Sequence, residues 1–243
     1  AAAEGADALI SMLPDGKIVR QALIEGRDAA VEGLAVGALV MDMSSSNPVD
    51  TQKLARDLAG RGVALLDAPV SGGVKRAVDG SLSIMVGGAA ADLERARPVF
   101  GAMGKTITFC GPAGAGHALK ALNNYLSASG LVAMCEALVV GEAFGLDPGT
   151  MVDVFNTSTG RNNATEVKGR QFVVPRNFAA GFTTALMVKD LRTAGDVAKH
   201  LKLKVPNLEQ AASYWTAADG KLGRGADHTE IFRYAEMLAE EES

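Results

Sequence analysis

The feature that most constrains how this chain can fold is an alternation of strand-length apolar runs with helix-length segments, which stops near Gly111. Each apolar run is short and is bounded by polar, Gly or Pro residues, which favours a buried strand. The predicted strands are residues 7–13, 38–43, 63–67, 82–86 and 106–110, and the predicted helices are residues 17–26, 50–61 and 92–103. Strands that alternate with helices predict a mostly parallel sheet flanked by helices.

After Gly116 the alternation gives way to helical periods alone. Residues 119–144 have apolar or small side chains on nearly every face, which is typical of a helix buried among other helices. Further helices are predicted at residues 150–155, 163–174, 184–201, 207–218 and 229–240. The sequence therefore predicts an α/β domain over residues 1–112 and an all-α domain over residues 113–243, joined by the long helix.

Charge and composition argue against several classes of function. The 243 residues include 24 Lys and Arg against 28 Asp and Glu, and a net charge of −4 offers no basic surface to nucleic acid or an anionic membrane. The apolar stretch at 119–146 contains Lys120, Asn123, Asn124, Glu136 and Glu142, which argues against a membrane span. The cysteines and histidines form no metal-ligand pattern, so no metal is predicted.

The cellular compartment is predicted from the cysteines and from the start of the sequence. Cys110 and Cys135 are far apart and belong to no CxxC or Cys/His metal pattern, which favours a reducing environment. The first residues, AAAEGADALI, lack the basic stretch of a signal peptide. We therefore expect a cytoplasmic protein.

The segment DAPVSGG, which begins at Asp67, is the first candidate for binding a ligand. It follows a predicted strand, and in α/β proteins ligands bind beyond the carboxyl ends of strands. Gly72 and Gly73 let backbone N–H groups approach an anion closely, and Ser71 adds a hydroxyl group. The segment suits a substrate carboxylate, and a sharp turn that binds nothing is the alternative.

A second glycine-rich segment, GPAGAG at residues 111–116, precedes the long helix. It is not a GxGxxG loop, and no acidic residue ends a second strand about 20 residues later, as the dinucleotide fingerprint requires. We interpret this segment as the junction between the domains and the start of the helix.

Lys120, Asn123, Asn124 and Ser127 lie at helical spacings that place them near one face of the long helix. A lysine inside an apolar helix is unfavourable unless it lines a polar cleft or finds partners. Burial also lowers the pKa of a lysine, which suits proton transfer near neutral pH. The alternative is a lysine that extends to the surface near a helix end.

The remaining charged and imidazole side chains carry weaker signals. Lys189 and Asp190 lie within a predicted helix, and their spacing alone favours a solvated charged face. His117, His200 and His228 show no ligand spacing. We interpret all three histidines as structural or surface residues.

Taken together, the motifs resemble those of one known family. They are, in chain order, SMLPD at Ser11, DMSSSNP at Asp42, DAPVSGGVKRAVDGSLSIMVGG at Asp67, GPAGAGHALKALNN at Gly111, STGRNNATE at Ser158 and FAAGFTTALMVKDL at Phe178. In this order the chain resembles the β-hydroxyacid dehydrogenase family, of the 3-hydroxyisobutyrate dehydrogenase and tartronate semialdehyde reductase type. Six ordered matches along the whole chain are far more specific than any one of them.

The resemblance implies a Rossmann-type cofactor-binding domain followed by an all-α domain, with the active site in the cleft between them. Lys120 matches the catalytic lysine of the family, and Asn124 matches an asparagine that orients the substrate beside it. The positions that match substrate contacts are Ser71, Gly72, Gly73 and Asn123, and those that match cofactor contacts are Leu13, Pro14, Ser45 and Lys189.

The activity that the resemblance implies is hydride transfer between a small β-hydroxy acid, or the matching semialdehyde, and NAD or NADP. Lys120 would act as the general acid and base. The resemblance also implies a homodimer or homotetramer. Neither nucleic acid nor a membrane is an expected partner.

The sequence departs from the family pattern in two places. The family opens with a strand, a GxGxxG loop and a further strand, and none of these is found here, so we expect the true N-terminus to precede Ala1. The second departure is the charged pair Lys75 and Arg76 after the two glycines, which either extends the anion site or faces solvent.

Three related classes are the alternatives. Imine reductases share the architecture but generally lack a lysine at the position of Lys120. Non-catalytic dinucleotide-binding relatives tend to lose that lysine and to add a basic segment, whereas this chain keeps it and is acidic. Sugar-acid phosphate dehydrogenases that decarboxylate their substrate have a longer helical half. All three comparisons favour the β-hydroxyacid dehydrogenase.

Overall fold

The computed structural model describes residues 3–241, and the chain divides into two compact units, Ala1–Ala121 and Leu122–Ser243. The first unit is built on a sheet. Its strands are β1 (Ala8–Ser11), β2 (Leu39–Asp42), β3 (Ala64–Asp67), β4 (Val70–Ser71), β5 (Leu82–Gly87) and β6 (Gly104–Gly111). Its helices are α1 (Gly16–Arg20), α2 (Pro48–Ala59), α3 (Gly73–Val78), α4 (Ala90–Met103) and the start of α5 (Ala115–Phe144), with a π-helical turn at Gln21–Glu25 and a 3-10 turn at Ala30–Glu32.

The six strands form one mixed sheet. β1, β2 and β3 are parallel neighbours in that order, and β5 is parallel to β6. β5 runs antiparallel to both β3 and β4, and Asp67 at the end of β3 lies opposite Gly87 at the end of β5. Most strand pairs are therefore parallel, as predicted, but the sheet changes direction at β5, which the sequence does not indicate.

The sheet is covered on both faces, which is why its central strands have almost continuous apolar sequences. Along β2, Leu39 and Met41 belong to a buried cluster that includes Phe100 of α4. Val40, between them, belongs to a second buried cluster that includes Leu58 of α2. Helix α4 and the pair α1 and α2 therefore cover opposite faces, and the loops at the carboxyl ends of β1, β2 and β3 remain available to form a site.

Helix α5 begins so close to the sheet that Gly114 and Gly116 have no room for a Cβ atom. A Cβ atom on Gly116 would lie 2.3 Å from the carbonyl oxygen of Met85 and 2.8 Å from that of Asp67. Gly114 has a φ of 89°, and a Cβ atom there would lie 2.8 Å from the carbonyl oxygen of Pro48. The GPAGAG segment leads into the helix, as predicted, and its glycines at 114 and 116 permit the close approach.

The second unit is helical. It contains the rest of α5, then α6 (Pro148–Thr157), a π-helix (Ala164–Val173), α7 (Thr184–His200), α8 (Pro206–Leu222), a 3-10 turn (His228–Glu230) and α9 (Ile231–Glu241). Among the residues described here, its β structure is limited to an isolated bridge between Thr183 and Asp227. The prediction of a helical second half is confirmed.

One face of helix α5 packs in the core of the second unit, whereas Leu126, Val140 and Phe144 are exposed, so the prediction of a helix buried on nearly every side is wrong for those positions. Its Leu131 and Leu138 are fully buried, as is Trp215 of α8. Within residues 3–241, α5 is also the one helix that is long and apolar enough to cross a membrane, with a mean hydropathy of 1.5 over its most apolar window, and 33% of that window is buried inside the chain. A core helix can have the same length and hydropathy, and the buried Leu131 and Leu138 show that one face of α5 packs inside the second unit.

The π-helix Ala164–Val173 carries a lysine whose side chain is buried in the second unit. Lys168 is 8% exposed, and its ammonium donates a hydrogen bond to Oγ of Ser127 on α5 at 3.1 Å. Burial lowers the pKa of Lys168 to about 8, against the opposing influence of Cys135 and Asp227. An ammonium has three donors, so one hydroxyl partner leaves most of the cost of burial uncompensated.

Each predicted strand and helix is present, and the bounds differ by a few residues at most. The sequence does not predict β4 (Val70–Ser71) or α3 (Gly73–Val78), because both are too short for a periodic pattern to be read. Residues 21–25 and 164–173, predicted as parts of ordinary helices, are π-helical.

We expect Gly116→Ala to lower the free energy of unfolding by about 1–3 kcal/mol, since the added Cβ overlaps backbone atoms that cannot move independently. The matched control is Gly101→Ala in α4, where a Cβ meets nothing within 4 Å and alanine stabilises the helix by about 0.5–1 kcal/mol. Denaturant unfolding followed by circular dichroism measures both changes. Equal effects of the two substitutions would contradict the close approach of α5 to the sheet.

We expect Lys168→Met to raise the free energy of unfolding by about 1–3 kcal/mol at pH 7. At that pH the folded and unfolded chains both hold the proton, so the folded state bears the full desolvation cost. Above pH 8 the folded protein releases the proton, whereas the unfolded lysine keeps it up to about 10.5. The stability that Lys168→Met adds therefore decreases as the pH rises from 8 to about 10.5. Lys199→Met, at an exposed position of α7, is the control, and an equal gain in both variants would contradict the prediction.

Candidate active site

The carboxylate of Asp67 joins the end of β3 to the start of α5. Asp67 is fully buried. Its two oxygens accept hydrogen bonds from the backbone N–H of Gly114 at 2.7 Å and from that of His117 at 2.9 Å. These N–H groups belong to the start of α5, where no partner is available inside the helix. The two bonds therefore fix the start of α5 beside the loop that follows β3.

The loop after β3 exposes a hydroxyl and two glycines. Ser71 is half-buried, and its hydroxyl has no hydrogen-bond partner among residues 3–241. Gly72 and Gly73 have φ angles of 133° and 65°, in the left-handed region that favours glycine. A Cβ atom on Gly72 would also lie 2.4 Å from Cδ of Arg76. The Ser71 hydroxyl and the bare backbone that follows can accept a ligand, and the neighbouring Lys75 and Arg76 are exposed.

Lys120 lies on α5 just after the residues that Asp67 holds. The helix is continuous, so Asn124 and Ser127 follow on the same face, four and seven positions later. Lys120 and Ser127 are half-buried, Asn124 is buried and Asn123 is exposed. The polar face predicted for this apolar helix is therefore present.

The imidazole of His117 connects the start of α5 to the loop after β2. Its Nδ1 lies 2.9 Å from Oγ1 of Thr51, and its Nε2 donates to the carbonyl oxygen of Ser44 at 3.0 Å. The ring is buried between the carboxylates of Asp42 and Asp67, which lie 3.8 and 3.9 Å away. His117 is thus a structural residue, as predicted, and it links two loops of the candidate site.

A second buried carboxylate, that of Asp42, organises the loops after β1 and β2. It accepts hydrogen bonds from Oγ of Ser11 at 2.9 Å, from the backbone N–H of Ser44 at 3.1 Å and from Oγ of Ser46 at 3.1 Å. Oγ of Ser44 in turn accepts a hydrogen bond from the backbone N–H of Leu13 at 2.8 Å. Two chain segments are in this way held side by side at the carboxyl ends of parallel strands.

The loops that Asp42 holds fit the dinucleotide that the resemblance implies. In doubly wound sheets such cofactors bind beyond the carboxyl ends of parallel strands, which is where Leu13, Pro14 and Ser45 lie. Pro14 is exposed and Ser45 is half-buried, whereas the serines on either side of Ser45 are buried. The three positions therefore present small or apolar groups on a fixed backbone.

In the second unit, Asn124 of α5 is held by a carboxylate of α7. Nδ2 of Asn124 donates to Oδ2 of Asp190 at 2.5 Å, and Oδ1 of Asn124 accepts from Nδ2 of Asn123 at 3.2 Å. Asp190 is buried and Lys189 is half-buried. The solvated charged face that spacing favours for this pair is therefore wrong, because a partner from another helix satisfies the carboxylate.

The sequence does not predict the buried carboxylates that organise these loops. Asp42, Asp67 and Asp190 are each at least 97% buried and each accepts a hydrogen bond from another segment of its own unit. Asp42 and Asp67 are the last residues of buried strands. A carboxylate at the end of an apolar strand needs partners there, and this signal could have identified both of them.

Two family models match the chain. The model for the NAD binding domain of 6-phosphogluconate dehydrogenase matches residues 1–111. The model for the NAD-binding region of NADP-dependent 3-hydroxyisobutyrate dehydrogenase matches residues 114–235. The matches meet where the sheet ends and the helices begin.

Several characterised proteins are similar to the chain over most of its length. It is 38% identical to 2-(hydroxymethyl)glutarate dehydrogenase of Eubacterium barkeri, over 84% of this chain and 67% of that protein. It is 34% identical to 2-hydroxy-3-oxopropionate reductase of Escherichia coli, over 97% of this chain and 80% of that protein. The structure of Mycobacterium tuberculosis 3-hydroxyisobutyrate dehydrogenase with L-serine superposes with a TM-score of 0.87 at 34% identity, over 96% of this chain and 80% of that one.

The imine reductase alternative has weaker support. The imine reductase of Myxococcus stipitatus superposes with a TM-score of 0.59 at 18% identity, which shows a shared fold alone. The two family models and the relatives above 30% identity agree with each other and with the ordered motifs. The chain therefore belongs to the β-hydroxyacid dehydrogenase family of NAD(P)-dependent oxidoreductases, with a Rossmann-type domain followed by a helical one.

Proposed function

We propose that this protein transfers a hydride between NAD or NADP and a small β-hydroxy acid, or its semialdehyde, with Lys120 as the general acid and base. The substrates named for its relatives include 2-(hydroxymethyl)glutarate and 2-hydroxy-3-oxopropionate. Both have a carboxylate whose neighbouring carbon carries a hydroxymethyl group or the corresponding aldehyde. The site has to hold this carboxylate and the carbon that carries the hydroxymethyl or aldehyde group.

The observation that carries the proposal is the position of Lys120 within the first unit. Asp67 ends the strand that leads into Ser71, and its carboxylate also anchors the start of the helix that carries Lys120. One buried side chain thus sets both the loop suited to a carboxylate and the helix suited to proton transfer. Such shared anchoring keeps reacting groups at a constant separation.

In this mechanism Ser71, Gly72 and Gly73 hold the substrate carboxylate. The Ser71 hydroxyl and the backbone N–H groups of the two glycines donate charge-assisted hydrogen bonds, which are stronger than bonds between neutral groups. The carboxylate fixes the substrate, so the carbon that bears the hydroxyl cannot rotate away. Positioning of this kind supplies several kcal/mol of barrier reduction, by order of magnitude.

Lys120 accepts the hydroxyl proton as the alcohol is oxidised and returns it when the aldehyde is reduced. To accept the proton during oxidation its amine has to be neutral. Asn124, with Asn123 beside it, orients the hydroxyl towards Lys120. Asp190 fixes the Asn124 amide through the 2.5 Å hydrogen bond and so acts as a positioning residue.

Leu13, Pro14 and Ser45 would hold the cofactor at the carboxyl ends of β1 and β2, and Lys189 would be a further contact to it. The bound nicotinamide supplies the hydride acceptor or donor. Asp42 keeps the loops that contain Leu13 and Ser45 in place through its bonds to Ser11 and Ser44. In this division of roles, residues 1–112 bind the cofactor, and residues 113–243 serve the substrate and the assembly of subunits.

We propose a homodimer or homotetramer in the cytoplasm, without a nucleic-acid or membrane partner, and the surface of the second unit supports self-association. An apolar stripe follows heptad-like spacing along α5, and its members are Leu122, Leu126, Ala133, Val140 and Phe144. Leu126 and Val140 are each 70% exposed and Phe144 is 84% exposed. An exposed stripe of this length is typical of an interface.

The distal half of the stripe opens into a groove that suits a second copy of the chain. Val140 and Phe144 line it together with Leu146 and Val154, and its volume is about 920 Å³. Its lining is mainly apolar but includes Glu136, Asp147 and Thr150, and a helix from an identical subunit offers the matching stripe. A two-fold axis that pairs α5 with its equivalent covers both stripes at once.

We expect the double substitution Val140→Asp with Phe144→Asp to convert the oligomer to a monomer, because two carboxylates would be buried without partners at the interface. Size-exclusion chromatography with light scattering gives the molar mass. Val36→Asp, at an 86% exposed position of the first unit, is the control. An unchanged mass in the double variant would show that this groove is not the interface.

We expect Lys120→Ala to lower kcat by about 10²-fold or more, the scale of general acid–base catalysis, while cofactor binding is retained. Ser71→Ala should chiefly raise KM, because it removes a contact to the substrate carboxylate. The assay follows reduced-cofactor absorbance on a panel of β-hydroxy acids, with NAD⁺ and NADP⁺ tested separately. Lys105→Ala, exposed on β6, is the control.

The panel also separates the proposal from its alternatives. Turnover by Lys120→Ala close to that of the unaltered protein would remove Lys120 from the mechanism. An unaltered protein that binds cofactor but oxidises no β-hydroxy acid, and reduces no semialdehyde, would favour another substrate class or a non-catalytic relative.

A further inference from the structure

The second unit contains a buried cation that has no partner of opposite charge. Lys168 is 8% exposed, and among residues 3–241 the hydroxyl of Ser127 is the one hydrogen-bond partner of its ammonium. No described carboxylate forms an ion pair with it. A buried ammonium without an anion is unfavourable, so its presence calls for a reason other than stability.

The two ionisable groups that influence Lys168 cannot neutralise it. The oxygens of Asp227 accept hydrogen bonds from backbone N–H groups of Gly181 and Thr229, so this carboxylate is already satisfied elsewhere. The thiol of Cys135 is buried, and burial raises its pKa well above the usual range, so it is neutral near pH 7. Two N–H donors of the ammonium and its positive charge are therefore available to another group.

The position of Ser127 connects this cation to the proposed substrate site. Ser127 follows Asn124 by three positions on the same face of α5, a separation of about 4.5 Å along the helix axis. Ser127 is half-buried, and its hydroxyl is the group on the polar face of the helix that contacts the Lys168 ammonium. A substrate whose hydroxyl lies at Asn124 has its side arm within reach of this pair.

We propose that Lys168 and Ser127 bind a second carboxylate of the substrate, so that this protein prefers a diacid in which the carbon bearing the hydroxymethyl group carries an arm ending in a carboxylate. The inference rests on the proposed function and narrows its substrate class. The arm's carboxylate accepts hydrogen bonds from the ammonium and the hydroxyl, which satisfies both groups and neutralises the charge.

The arm's length follows from the spacing on α5. An arm of two methylenes and a carboxylate spans about 5 Å, since each bond advances the chain by little more than 1 Å. This is close to the separation of about 4.5 Å along the helix axis between Asn124 and Ser127. A methyl group in place of the arm leaves the cation uncompensated. Substrates that differ only in this arm therefore isolate the contribution of Lys168.

The test compares two acids that react at the same group. One is 2-(hydroxymethyl)pentanedioate, which has the charged arm, and the other is 3-hydroxy-2-methylpropanoate, which has a methyl group instead. Steady-state kinetics give the ratio of kcat/KM for the diacid to that for the monoacid. The variants are Lys168→Met and Ser127→Ala, with Lys199→Met as the exposed control. Pentanedioate is also tested for thermal stabilisation of each protein, which is a binding readout independent of turnover.

The unaltered protein should prefer the diacid, and Lys168→Met should lower the ratio about 10- to 100-fold, the scale of one lost charge-assisted contact. The loss should lie mainly in KM, and Ser127→Ala should give a smaller loss in the same direction. Stabilisation by pentanedioate should be lost in Lys168→Met and retained in Lys199→Met. In the unaltered protein, KM for the diacid should rise as the pH increases through 8, whereas KM for the monoacid should not.

Two results would overturn the inference and leave the proposed function intact. One is Lys120-dependent oxidation of the monoacid without preference for the diacid. The other is an equal effect of Lys168→Met on both acids, which indicates a structural role for this lysine. Failure of both acids to react would instead contradict the proposed function, and loss of pentanedioate binding in Lys168→Met would still support the anion site.

Discussion

The arrangement of the first unit depends on one buried carboxylate, that of Asp67. It ends β3, accepts hydrogen bonds from the first N–H groups of α5, and so fixes the start of a 30-residue helix against the sheet. A buried carboxylate is tolerated only where its hydrogen bonds are satisfied, and the unpaired N–H groups at a helix start are well suited to it. The glycines at 114 and 116 permit this approach because larger residues would overlap the backbone.

The same principle organises the cofactor side of the unit. Asp42 gathers hydroxyl and N–H donors from two loops, and His117 links one of these loops to the start of α5. Polar networks of this kind are rigid when every member has a partner. The loop proposed to bind the substrate carboxylate, the helix that carries Lys120 and the loops proposed to bind the cofactor therefore derive their positions from one connected set of buried bonds.

Two buried charged groups of the second unit differ in how completely they are hydrogen-bonded. The carboxylate of Asp190 is satisfied by Asn124, and this bond orients the amide that we assign to the substrate. The ammonium of Lys168 is satisfied only in part, and its burial lowers its pKa to about 8. Groups that reduce stability tend to persist where function requires them. We therefore assign Asp190, whose carboxylate has its partner, to positioning, and Lys168, whose ammonium lacks an anion, to binding.

The sequence alone determined the order of strands and helices, the change from a sheet to helices near Gly111 and the polar face around Lys120, because apolar periodicity is a local property. It also contained the ordered motifs that identify the family. Only the tertiary structure decided the reversal of the sheet at β5 and the burial of Asp190 and Lys168. In sequence Asp190 looks like part of a solvated charged face, and Lys168 is not singled out by any motif or spacing. Their hydrogen-bond partners, Asn124 and Ser127, are more than 40 positions away along the chain. Contacts between distant residues depend on packing, which no local pattern records.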